Sequence, residues 1–66
     1  MFKEHMTVYA KEKIKDKIEI GCLGVIVHIY NPYLFEVEFF DKEMNTIDVV
    51  TISSKQIIEA TRNSEQ

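Results

Sequence analysis

Sixty-six residues, eight of them basic and eleven acidic, give a net charge of −3 in a chain that is 45% hydrophobic. A chain of that length makes one domain and buries only about 60% of its unfolded surface, which leaves little material for a catalytic cleft with its own supporting shell. The acidic balance argues against a phosphate-tracking nucleic-acid binder, which carries a basic excess or stripe, and a single cysteine, Cys22, excludes an internal disulfide.

The first residues, Met1-Phe2-Lys3-Glu4-His5, contain no apolar signal-peptide core. No apolar run approaches the roughly 18 residues needed to span a bilayer, so the expected location is the cytoplasm. Met6-Thr7-Val8-Tyr9-Ala10 reads as a strand, yet Met6, Ala10, Ile14 and Ile18 recur every four residues, as on one face of a helix. Lys11–Lys17 consists of good helix formers. Pattern alone leaves helix and strand-plus-loop both open across residues 10–18. Within Lys11–Lys17 the lysines alternate with Glu12 and Asp16, the mark of a solvated segment rather than a phosphate track.

Gly21-Cys22-Leu23-Gly24 puts two glycines just before an apolar strand and predicts a tight turn with positive φ at one of them. It is not a phosphate loop, because the Lys-Ser/Thr pair is missing and a strand follows. Val25–Tyr30 is β-branched and aromatic, and Asn31-Pro32 ends it as a turn signal. Leu34–Phe40 alternates with period two, as a half-buried strand does. Asp41–Asn45 is a polar turn, and Thr46–Ile52 is the next strand. Ser53-Ser54 punctuates, Gln56–Ala60 is a short last strand, and the polar residues 62–66 are expected to fray.

The whole pattern resembles a family of short bacterial proteins known as domain of unknown function 4926. Its carriers are Met1–His5, Ile18–His28, Phe35–Asp41 and Thr46–Ile52. The chain departs from the family's pattern at Cys22, where an acidic residue is expected, at Met44-Asn45, in place of a glycine-containing turn, and at Lys17, in place of a loop glycine. The resemblance implies a small SH3-like barrel with no established activity, and it favours strand followed by loop over residues 10–18. It also suggests a short partner protein encoded beside a larger, toxin-like one, hence an antitoxin or immunity role. The expected fold is therefore all-β, a five-stranded SH3-like barrel forming one domain over residues 1–61.

Hairpin arithmetic predicts a surface. A three-residue loop at Asn31–Tyr33 pairs Tyr30 with Leu34, Ile29 with Phe35, Val27 with Val37 and Val25 with Phe39. A five-residue loop at Asp41–Asn45 pairs Phe40 with Thr46, Phe39 with Ile47 and Val37 with Val49. Both registers gather one apolar set on one side. The other side then holds three rows: Tyr30, Leu34 and Ile52; His28, Glu36 and Val50; and Ile26, Glu38 and Asp48. The first row reads either as core at a sheet bend or as a partner site. Glu38 opposite Asp48 would be mildly destabilising, a cost a binding face can carry.

Tyr30, Leu34, Glu36, Glu38, Asp48 and His28 are thus the candidate partner-binding residues. No catalytic, cofactor or metal site is expected. Adjacent carboxylates on an outer face provide no cleft, His28 beside Glu36 reads as a surface hydrogen bond rather than an acid–base pair, and His5, His28 and Cys22 lack metal-ligand spacing. Cys22 and the Ser53-Ser54 pair read as turn residues. The function expected is a non-enzymatic protein-binding module with a basic partner, which an acidic face would attract. The alternative is a KOW-like nucleic-acid or ribosome-associated module in which Tyr9, Tyr30 and Tyr33 stack bases. Residues 18–41 carry no Lys or Arg, which weighs against it.

Overall fold

β-branched and aromatic residues supply most of five short runs, and all five become strands. The computed structural model describes residues 1–60; the tail at 62–66 lies outside them. The strands are β1 (Thr7–Ala10), β2 (Leu23–Asn31), β3 (Leu34–Phe40), β4 (Thr46–Ser53) and β5 (Ile57–Glu59), with one turn of 3-10 helix, Ser54–Gln56, before β5. They form a single antiparallel sheet in the order β4-β3-β2-β1-β5. The all-β, five-stranded expectation holds, and the segment after β1 is not helical. The sheet is not closed into a barrel: among the described residues no ladder joins its two edges, β4 and β5.

The long β1–β2 connection covers what strand pairing leaves open. It turns back on itself at Lys15 and Asp16, both at positive φ (54° and 62°). Ile14 and Ile18 then exchange two backbone hydrogen bonds of 2.8 and 3.0 Å. Both isoleucines are buried, and both belong to the same core as Val8, Ala10, Ile26 and Phe35. The four-residue spacing of Met6, Ala10, Ile14 and Ile18 therefore comes from a strand followed by a tight turn. All four point at or into the core, with no helix between them.

Three extra residues reset the predicted registers. Ile26 faces Val37 and His28 faces Glu36, so Val27 has no partner of its own; Ile29 faces Phe35 and Asn31 faces Leu34, so Tyr30 has none either. Phe40 faces Thr46 but Phe39 faces Asp48, which leaves Ile47 over. These are β-bulges, each adding one residue to one strand and turning the following side chains over. The physical reason lies on the inner face. Gly24, Ile26 and Ile29 all look inward only if Val27 is skipped, and Ile26 is fully buried while Val27 is 37% exposed.

Gly24 belongs on that inner side because Phe39 packs against it. A Cβ there would stand 2.8 Å from both the Phe39 ring and a Val37 methyl. The positive φ predicted in this stretch falls at Gly21, at 87°. On β4 the bulge turns Val50 and Ile52 inward and Val49 outward. The predicted pairs Val27–Val37, Val25–Phe39, Phe39–Ile47 and Val37–Val49 are thus replaced by Ile26–Val37, Gly24–Phe39, Phe39–Asp48 and Val37–Val50. The β2–β3 loop shortens to Pro32 and Tyr33, stapled by the Asn31 side chain accepting from the Tyr33 amide at 2.8 Å.

Candidate functional site

The bulges decide which predicted site residues meet. β3 contains none, so Leu34, Glu36 and Glu38 keep strict alternation and stand in line on the outer face. His28 lies directly across from Glu36 on β2, and Thr51 directly across on β4. Tyr30, set off by its bulge, reaches back so that its hydroxyl donates to Glu36 Oε1 at 3.0 Å, and the Thr51 hydroxyl donates to the same oxygen at 2.7 Å. Glu38 accepts a hydrogen bond from the hydroxyl of Thr46. Five of the six candidates, His28, Tyr30, Leu34, Glu36 and Glu38, therefore share one part of the molecule.

Asp48 does not belong with them. The Ile47 bulge moves it across from Phe39, away from Glu38, which faces Val49 instead. Its carboxylate meets Lys17 of the β1–β2 loop at 3.3 Å. The repulsion foreseen between Glu38 and Asp48 is absent, because the two stand at registers of opposite parity. The lysine beside it, together with the Val49 amide that donates to it, holds the Asp48 carboxyl below its ordinary range. Ile52 also leaves its predicted row: it packs against Phe35 in the core and is 2% exposed, whereas Tyr30 and Leu34 stay at the surface.

His28 is corrected as well. It faces Glu36 in register, but the carboxylate it meets is that of Glu4, with Nδ1 and Oε2 3.6 Å apart. Its ring meets that of Tyr30 edge-on, with centroids 4.7 Å apart. The charged oxygen that accepts the Tyr30 hydroxyl pushes the phenol's pKa up, since ionising it would break the bond and set two negative charges together.

Sequence reasoning missed an apolar band beside this cluster. Tyr9 faces Leu23 on one side and Ile58 on the other. Leu23 and Phe40 then line one wall of a surface groove of about 450 Å³, with Ile20 and Met44 exposed at its rim. Cys22 sits in the same groove and hydrogen-bonds the Phe40 carbonyl at 3.2 Å; burial raises its thiol pKa, which favours an inert thiol. The period-two pattern of Tyr9 and Leu23 could have shown the band, had the bulge at Val27 been placed. Among the described residues no group of three or more His, Cys, Asp or Glu is placed to hold a metal ion. No described helix is long and apolar enough to cross a membrane.

Set against known proteins, residues 5–59 match a family model described only as a domain of unknown function (DUF4926). No curated protein and no solved structure matches the chain.

Proposed function

Since the chain belongs to the DUF4926 family, whose description assigns no activity, we propose from its surface that it is a non-enzymatic protein-binding module for a basic partner. The observation that carries this reading is the state of Glu36 and Glu38. They stand side by side on β3, bonded by the neutral hydroxyls of Tyr30, Thr51 and Thr46, and among the described residues neither has an ion pair. Exposed Tyr30, Leu34 and Val49 adjoin them. Apolar anchors beside charged groups that lack a counter-ion suit a protein interface. An antitoxin or immunity protein that masks a basic toxin is the biological role this chemistry fits.

The nucleic-acid alternative has less support. Lys13 and Lys17 are turned to Glu19 and Asp48, and the Tyr30 hydroxyl is committed to a carboxylate that would repel phosphate. The test is affinity capture from the native host, followed by binding measurements on the purified partner with Glu36→Lys and Glu38→Lys variants at low and high salt. A basic protein whose association slows with either substitution supports the reading. A nucleic acid, or a protein that binds both variants like the parent, refutes it.

A further inference from the structure

An open sheet leaves two free edges, and β4 is the long one. Its stretch Val49-Val50-Thr51-Ile52-Ser53 carries no charge, and four of its five residues are β-branched. Such an edge is a ready template for a second strand unless something blunts it. β5, three residues long and ending on Glu59, is a far poorer template.

Two of the outward amides of β4 are occupied from within the chain. The Val49 N–H donates to Asp48 Oδ1 at 2.8 Å, and the Ser53 N–H donates to Gln56 Oε1 at 2.8 Å. These two residues share the same parity, so both amides lie on the side away from β3. Thr51 lies between them at the same parity, and among the described residues no side chain accepts from its amide. Each guard is itself held. Asp48 is gripped by Lys17 at 3.3 Å, and Gln56 completes a capping box with Ser53. The Ile47 bulge disturbs the edge at its first turn.

We propose that the β4 edge is a pairing surface for the β4 strand of a second copy of this chain, kept shut by the side chains of Asp48 and Gln56. Two β4 edges meeting about a two-fold axis oppose only uncharged residues across 49–53, so every contact is made twice and none is repulsive. The occupant is a second copy because residues 49–53, as they stand, supply both halves of that match. The proposal rests on the backbone amides along the β4 edge, whereas the outer-face reading above rests on the side chains of Glu36 and Glu38 and their neighbours.

Light scattering on a sizing column, over a wide range of concentration, tests it with the parent, Asp48→Ala, Asp48→Asn and Gln56→Ala, each checked for a cooperative melt. Parent and Asp48→Asn are expected as monomers, because asparagine keeps an oxygen that accepts the Val49 amide. Asp48→Ala is expected to dimerise about tenfold or more tightly than the parent. In that dimer, hydrogen exchange slows at the Val49 and Thr51 amides. Gln56→Ala should shift the same way, with new protection at Ser53, and it carries the test if Asp48→Ala does not melt cooperatively. Folded monomers for both alanine variants at every concentration would overturn the proposal. So would a dimer of the parent, a dimer of Asp48→Asn, or protection confined to β5.

Discussion

Tyr30 and Glu36 are joined by a hydrogen bond of 3.0 Å although Tyr30 is the extra residue of a bulge and has no cross-strand partner of its own. In an unbroken ladder the tyrosine would stand directly across from Leu34; here it is the extra residue, and its hydroxyl still reaches the carboxylate two residues along β3.

The bond predicts an alkaline effect. Glu36 raises the Tyr30 pKa above that of an unfolded tyrosine. The folded state thus favours the neutral phenol, and the stabilisation is fully present below the unfolded value of about 10. It is lost as pH rises through the higher folded value. NMR titration should show the Tyr30 pKa falling toward the ordinary value in a Glu36→Gln variant. An unmoved Tyr30 would place the hydroxyl elsewhere.

The two glycines should respond differently to alanine. At Gly24 the added Cβ meets the Phe39 ring and Val37 at 2.8 Å, so Gly24→Ala forces the centre of the core apart at a cost of about 1–3 kcal/mol. At Gly21 the space is open, and the cost comes from φ of 87°, about 1 kcal/mol. Urea melts should rank Gly24→Ala as the more damaging, and near-ultraviolet circular dichroism, which reports aromatic packing, should change for it alone.

Met44 sits in the β3–β4 loop at φ of 68°, a conformation that costs a residue with a side chain about 1–2 kcal/mol. The Asp41 side chain holds the loop in this shape by accepting from the Glu43 and Asn45 amides at 2.9 and 2.8 Å. Met44→Gly should therefore stabilise the fold by about 0.5–1 kcal/mol, read as a higher melting temperature. A lower one would mean that the methionine side chain contributes more than its backbone costs.

The binding face makes a sharper demand of charge reversal. Glu36→Lys and Glu38→Lys should each slow association with a basic partner at low salt, and the difference should shrink at high salt as screening grows. Glu59→Lys should leave association unchanged, since that carboxylate stands on β5, at the far end of the strand order from the face. Stopped-flow measurement at two ionic strengths separates these outcomes. Equal effects from all three variants would show that net charge steers the encounter.

Much of this was legible in the sequence. The strands of β3 and β4, the Asp41–Asn45 loop, the positive φ near Gly21 and the short last strand follow from alternation and turn residues. The Phe40–Thr46 register follows from the five-residue loop, and Ile29–Phe35 and His28–Glu36 stand as expected because the bulge at Tyr30 offsets a β2–β3 loop one residue shorter than expected. The bulges were not legible. Nothing in Ile26-Val27-His28 distinguishes the isoleucine that faces the core from the valine that does not, since both are β-branched and apolar. The choice is made by Phe39, which needs the bare Cα of Gly24 beneath its ring and so fixes the parity of everything before the bulge. Asp48 was misplaced for the same reason, one residue beyond Ile47.

Because all three unpaired residues lie on β2 and β4, the fold depends on strand length in a way that side-chain chemistry does not reveal. Replacing Val27 by another strand former changes an exposed side chain and little else. Deleting it brings Ile26–Val37 and His28–Glu36 together as consecutive rungs, so Gly24, Ile26 and Ile29 all keep their partners and their side of the sheet. The same deletion on β3, which has no spare residue, behaves differently: without Glu36, one half of that strand must turn over relative to the other. The count of residues can change without loss only where the ladder already holds one too many.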